Sequence, residues 1–228
     1  MGTLTAQSII DRAATILNDA GNVRWTQQEL VRYLNDGQRD TVLLKPEACV
    51  KNVSVVLTAS STRQTIPSDG IALMDVVRNM GAAGTTPGRA IKVVSRDSLD
   101  INPDWHTVAA DSVNGVRHFT FDARDPKHFY VYPQAPATAW YVEEIYSANP
   151  VDLPYGLADN ANTGVISLDD IYANSLFEYV LFRAFSKNAE YAANITLAAA
   201  HYQAFSTSLG IKTQVDAARS PNAAIGKA

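Results

Sequence analysis

The chain has 228 residues, enough for one large domain or two small ones, with 46% hydrophobic residues and only 18% charged, against roughly 25% charged in an average globular protein. Lys and Arg total 19 and Asp and Glu 23, a net charge of -4 that argues against a basic surface tracking phosphates, while the charge deficit predicts a surface partly covered by other protein. One cysteine, Cys49, excludes an internal disulfide framework; no apolar run nears the roughly 18 residues of a membrane span, and Met1-Gly2-Thr3-Leu4-Thr5-Ala6 has no signal-peptide pattern, so a soluble chain folded in a reducing compartment is expected.

The first zone reads as helical. From Thr5 to about Asn18, residues Ile9, Ile10, Ala13, Ala14, Ile16 and Leu17 recur at three- and four-residue spacing and fall on one stripe. Gly21 and Asn22 end this helix. Thr26 with Glu29 three residues on reads as a capping box, in which each side chain bonds the other residue's backbone N–H. The helix it opens turns Leu30, Tyr33 and Leu34 inward, carries Val42 to Leu44 near its end, and stops at Pro46.

From about Val50 to Pro150 the hydrophobic pattern changes to alternation. Val53, Val55 and Leu57 alternate, and short β-rich runs follow at Gln64 to Ile66, Ile71 to Val77 and Ala90 to Val94. The clearest hairpin joins Val116 to Phe121 with Lys127 to Tyr132 through the turn Asp122-Ala123-Arg124-Asp125-Pro126. Phe119 and Phe121 share one face of it, and His118 and Thr120 the other. A strand from Thr138 to Tyr146 completes the set, enough for a twisted sheet or a small sandwich.

Helical periodicity returns after a loop from Ser147 to Gly164. Ser167 is suited to cap a helix whose first turn holds Asp169 and Asp170, where the helix dipole favours negative charge. From Ile171 to Phe185 apolar residues leave almost no polar face, so that helix must be buried nearly all round. Asn188 opens a further helix through Ile195, Leu197, Tyr202 and Phe205, with Gly210 as its left-handed cap. The fold class expected is α+β: a helical bundle built from the N- and C-terminal helix pairs, residues 1–48 and 165–212, with an inserted antiparallel β-sheet or sandwich domain over 49–150. A linker loop occupies 151–164, and 213–228 reads as a flexible tail.

No motif for chemistry emerges. If Phe119 pairs with Phe129, His118 and His128 lie diagonally on one face and supply two metal ligands, but a third is missing; His106 and His201 lie elsewhere. The stretch Asp159 to Asp170 imitates a calcium loop, yet Ala161 replaces a ligand and the final Glu is absent. Gly81 to Arg89 is glycine-rich but lacks the Lys and hydroxyl of a phosphate loop, so it reads as a hairpin tip. Glu143 and Glu144 are adjacent on a strand and point to opposite faces, and Cys49 has no partner motif. The expectation is a protein that is not an enzyme, with no catalytic residue, cofactor or metal. Trp25, Trp105 and Tyr155 lie near loops and are the candidate partner anchors.

The ends of the chain carry a resemblance. Ile10-Asp11-Arg12-Ala13-Ala14-Thr15-Ile16-Leu17-Asn18-Asp19, Val23-Arg24-Trp25-Thr26 and Tyr33-Leu34-Asn35-Asp36-Gly37-Gln38-Arg39 resemble the opening of head-to-tail adaptor proteins of tailed bacteriophages, of the connector or tail tubular protein A-like kind. Asp125 to Pro133, Ile171-Tyr172-Ala173-Asn174, Leu181 to Ala192 and Ala200 to Phe205 are similar to the same group. The resemblance implies a virion structural protein at the neck between capsid and tail, assembled in the host cytoplasm. It implies a homo-oligomeric, dodecameric ring beneath the portal protein, which extends the channel for double-stranded DNA without binding it specifically and receives a tail nozzle or hub protein. No membrane is involved. On this reading the helical domain packs side by side, with Tyr172, Phe177, Tyr179 and Phe182 as subunit contacts, the β domain faces the tail, and the C-terminal tail reaches the portal through Lys212, Gln214, Arg219 and Ile225. The alternative is a tail-associated carbohydrate-binding or depolymerising module, which predicts an exposed aromatic platform near Trp105 or Trp140.

Overall fold

The structure, a computed structural model, describes residues 2–109, 115–154, 164–188, 190 and 192–219. In chain order its elements begin with α1 (Ala6–Ile16) and α2 (Gln27–Leu44), then β1 (Val50–Val56), β2 (Arg63–Thr65), β3 (Gly70–Gly81) and β4 (Lys92–Val93). A short α3 (Arg96–Asp100) precedes β5 (His118–Phe121), β6 (His128–Tyr132) and β7 (Tyr141–Ala148); α4 (Ala173–Lys187) and α5 (Ala192–Arg219) close the chain. The chain divides into two compact units, one formed by Met1–Ala48 with Pro150–Ala228 and the other by Cys49–Asn149.

In the helical unit, α1 opens on Thr5, whose hydroxyl accepts the Ser8 N–H, and buries Ala6, Ile9, Ile10, Ala13 and Ala14. Asp19 shapes the loop to α2 by accepting the N–H groups of Val23, Arg24 and Trp25, each at 2.9 Å. Those bonds, led by the one from Trp25, hold its carboxyl below the usual carboxylate range. Thr26 caps α2 through the Glu29 N–H at 3.3 Å, while the Glu29 carboxylate reaches the Tyr33 hydroxyl and Lys187 Nζ. Helices α1, α2 and α5 all pack on α4, burying Leu176, Val180, Leu181 and Ala184. Much of the apolar perimeter of α4 is therefore covered within one chain, while Phe177, Phe182 and Phe185 stay half-buried.

The helix ends differ from the expected caps at two places. Ser167 does not cap α4: its hydroxyl exchanges 3.0 Å bonds with the Val151 N–H and C=O, and a single 3-10 turn (Asp170–Tyr172) leads into the helix instead. Gly210 does not end α5, which runs on to Arg219 and so takes in residues 213–219 of the expected tail. An interior glycine costs only about 1 kcal/mol against alanine, and the flanking Leu209, Ile211, Lys212 and Gln214 are adequate helix formers.

The β unit holds two sheets, in the orders β1-β7-β3 and β2-β6-β5-β4. All ladders are antiparallel except β4 with β5, which is parallel, so the sheet expected to be purely antiparallel is mixed. Both sheets contribute to one core: Leu73, Val76 and Val142 from the first cluster with Phe119, Phe129 and Val131 from the second. The β5–β6 hairpin pairs Phe121 with Phe129 and Phe119 with Val131. His118 consequently lies opposite Tyr132, two residues further from His128 than a Phe119–Phe129 register requires, and the diagonal histidine pair does not form.

Candidate functional surfaces

Side chains with chemical potential are mostly spent on structure. His128 Nδ1 meets Asp125 within its own turn at 2.7 Å, and His201 Nδ1 meets Glu178 at 2.6 Å. Asp170 holds the N-terminal segment, accepting from the Thr3 N–H at 2.6 Å and the Leu4 N–H at 3.0 Å; residues 159–163 of the calcium-like stretch lie outside the described residues. In the glycine-rich loop the Thr86 and Gly88 N–H groups are donated to the Met80 and Asn79 carbonyls, which leaves them unavailable to a phosphate. Among the described residues no three His, Cys, Asp or Glu side chains gather in a way that would hold a metal ion.

Glu143 and Glu144 separate as alternation requires. Glu143 faces outward and pairs with Arg78 and Asn52, which hold its carboxyl below its usual range. Glu144 is 1% exposed, opposite Val53 on β1 and Val76 on β3, and neither carboxyl oxygen has a hydrogen-bond partner. Burial pushes its pKa up to about 8, so the group is protonated at neutral pH.

The tryptophans are interior. Trp105 and Trp140 are 7% and 8% exposed, and their indole N–H groups are donated to Asp100 and Asn79 at 2.9 Å. Trp25 is buried too, bonding the Ala184 carbonyl at 3.1 Å. The platform that a carbohydrate-binding module requires is therefore not provided by Trp105 or Trp140, and Tyr155 lies outside the described residues.

The helix contacts anticipated for a neighbouring subunit divide into two pairs. Tyr172 and Tyr179 are 5% and 3% exposed, covered by this chain's own residues; the Tyr179 ring packs edge-on against Phe205 at 5.1 Å between centroids. Phe177 and Phe182 are half-buried, Phe177 beneath the Arg12 guanidinium at 4.5 Å and Phe182 against Tyr202 at 5.0 Å. Further exposed apolar side chains that sequence reasoning did not single out as contacts are Ile171, Ile195, Leu197, Tyr202 and Ile211. Of the four C-terminal positions, Lys212, Gln214 and Arg219 belong to α5, where Gln214 is exposed, and Ile225 lies outside the described residues.

The stretch Tyr33 to Arg39 acquires a physical meaning. Gly37 admits the Tyr179 ring, since a Cβ there would stand 2.9 Å from Tyr179 Cδ1. The buried Asn35 accepts the Leu153 N–H at 2.9 Å and donates to the Leu153 carbonyl at 3.2 Å, and the buried Gln38 accepts the Ser167 N–H at 2.7 Å. Two polar side chains on the inner face of α2 thus fasten the chain on both sides of residues 155–163. The hydrophobic period turns Leu30, Tyr33 and Leu34 inward and passes over Asn35 and Gln38, because buried polar positions of this kind interrupt that period without leaving another signal.

Together these features define a two-unit α+β protein whose polar side chains, among the described residues, hold the fold rather than converge on a reaction centre. Comparison with curated proteins gives no match. The sequence matches the family described as SU10 adaptor protein over residues 4–225, nearly the whole chain, and the protein belongs to this family of phage head-to-tail adaptors.

Proposed function

We propose that the protein is a structural adaptor that forms a ring beneath the portal of a tailed phage, extends the DNA channel and receives the tail. The observation that carries this reading is the family match over residues 4–225, which spans both compact units. In the ring the helical unit forms a bundle that packs side by side with its neighbours, and the β unit faces the tail nozzle or hub. Phe177 and Phe182, with the exposed apolar residues of α5, supply the contact between subunits; Tyr172 and Tyr179, being buried, support it from within. The C-terminal positions Lys212, Gln214, Arg219 and Ile225 reach the portal.

The net charge of -4 suits a passage through which DNA slides, because a lumen lined with Lys and Arg would retard it. A dodecameric ring at the virion neck, assembled in the host cytoplasm, is the arrangement proposed. Electron microscopy of the protein mixed with its portal tests it directly. Rings of this chain on the portal are expected, together with loss of docking when residues after Lys212 are deleted. Absence of binding by the intact chain would refute the adaptor arrangement.

A further inference from the structure

The outer edge of β1 is unfinished. Leu57, just past β1, donates its N–H to the Trp140 carbonyl at 2.8 Å, which makes Leu57–Trp140 a bonded pair of the β1–β7 ladder. Bonded pairs alternate with unbonded ones in an antiparallel ladder, so Val55, Val53 and Lys51 also bond inward to β7. The N–H and C=O groups of Val50, Asn52, Ser54 and Val56 therefore point away from the sheet, and among the described residues none of them has a partner. Val50 and Val56 are 42% and 50% exposed, and Asn52 and Ser54 are exposed between them.

The other sheet edges are protected in ways that β1 is not. The β3 edge is bridged by residues 88–91, through Asn79 N–H to Arg89 and Ile91 N–H to Val77. Strands β4 and β2 span only two and three residues. By contrast β1 spans seven, pairs with β7 in an unbroken register, contains no proline, and has one charge, Lys51, whose ammonium is drawn onto Asp69 at 2.6 Å. Long, regular edges lacking a bulge, proline or projecting charge are templates for another strand.

The geometry selects the occupant. When a second β1 lies antiparallel with Val53 opposite Val53, Val50 of one copy meets Val56 of the other and Asn52 meets Ser54. Every residue whose backbone points outward then faces another of the same kind, so four pairs form, each exchanging two N–H···O bonds. A one-residue slip would set outward groups against inward ones and lose them all. Side chains agree with the register: valine meets valine, amide meets hydroxyl, and Lys51 meets Val55, which keeps the two ammonium groups at opposite ends.

We propose that the free protein dimerises through β1, with two copies joining their three-stranded sheets into one six-stranded sheet about a two-fold axis at Val53. Neighbours in a cyclic ring are related head to tail and not by such an axis. The dimer is thus a separate, pre-assembly state that covers an adhesive edge and must part before, or as, a ring forms.

Sedimentation velocity of the full chain from about 1 to 200 µM tests this, with the expected mass rising from 24.7 kDa to twice that value. Ser54→Pro removes an N–H that takes no part in the β1–β7 ladder, so its circular dichroism and melting should match wild type while dimerisation weakens at least about tenfold. Ser54→Lys, which keeps the backbone donor and sets two lysines diagonally across the axis, should weaken it similarly. A wild-type chain that stays monomeric throughout this range overturns the proposal and leaves the edge to another protein's strand. Dimers that survive both substitutions, or larger assemblies indifferent to them, also overturn it. Slower amide exchange at Asn52 and Ser54 in concentrated wild-type samples, but not in Ser54→Lys, is the supporting signature.

Discussion

Replacing Glu144 by Gln should make the protein more stable as pH rises, and the size of the effect follows from the place of this carboxyl. It lies on the buried face of β7 with Val142 and Tyr146, opposite Val53 and Val76, without a hydrogen-bond partner. Two residues along β7, Tyr146 stands opposite Lys51, which is paired with Asp69, and Asp69 also accepts from the Tyr146 hydroxyl at 3.1 Å. Burial raises the Glu144 pKa from 4.5 to about 8. Below 4.5 the folded and unfolded chains both hold this proton. Between 4.5 and about 8 the folded chain keeps a proton that the unfolded chain has released, so stability falls by about 1.4 kcal/mol per pH unit. The accumulated penalty is about 3 kcal/mol at pH 7 and about 5 kcal/mol above pH 8.

A glutamine of the same shape does not titrate, and the cost of burying its amide is the same at every pH. The assay is therefore a pair of melting curves, wild type and Glu144→Gln, from pH 5 to 9. For a chain of this length about 1 kcal/mol corresponds to roughly 2–4 °C. The difference in Tm should widen in favour of Gln by roughly 10 °C between pH 5 and 8 and then level off. Parallel pH profiles over that range would refute the reasoning and mean that the carboxyl is solvated.

Three other substitutions probe the polar side chains that hold the fold. Asn79, buried in the β unit, donates to the Arg89 and Val116 carbonyls and accepts from the Val116 N–H and Trp140 Nε1, all within 2.7–2.9 Å. Asn79→Leu orphans the Val116 N–H and C=O and the Trp140 indole N–H, while the Arg89 carbonyl keeps the Asn79 backbone N–H; at roughly 1–3 kcal/mol each, a loss of at least about 3 kcal/mol is expected in urea titration followed by Trp fluorescence. Asn35→Ala leaves the buried Leu153 N–H and C=O unpaired, with an expected loss of about 2–5 kcal/mol and new protease sensitivity after residue 150. Asp19 has a lowered pKa, so its contribution is complete above the ordinary carboxylate range and is lost as pH falls through the lower folded value. Asp19→Asn should consequently flatten the acid limb of the stability profile below about pH 4 without removing the loop's acceptor entirely, as circular dichroism at graded pH would record.

Assigning the protein to an adaptor family gives its low charge a consequence that can be located. Helix α4, the most apolar segment, spends much of that character inside one chain, against α1, α2 and α5, and leaves Phe177 and Phe182 half-buried. Further apolar side chains are exposed on α5, including Ile195, Leu197 and Ile211, and the edge of β1 is open; these join Phe177 and Phe182 as the surfaces proposed above for contact with other copies. Helix α5, continuing to Arg219, takes in residues 213–219, the first part of the segment expected as a flexible tail.

Much of the architecture was legible because it depends on local periodicity. The stripe of α1, the Thr26 cap of α2, the change to alternation after Val50 and the β5–β6 hairpin are each written in neighbouring residues, and neighbours determine backbone preference. The adaptor resemblance was legible too, since short motifs in order along the chain survive without knowledge of their contacts. Local pattern could not tell whether Gly210 stops a helix, because an interior glycine is a modest cost that its neighbours outweigh. Nor could it set the hairpin register, find the parallel β4–β5 pair, or distinguish Glu144 from Glu143, whose surroundings differ only once the second sheet closes over one face of β7. Asn35, Gln38 and Asn79 look like ordinary polar residues in sequence. Only the tertiary structure, by removing water and supplying distant backbone partners, makes them the bonds on which each unit depends.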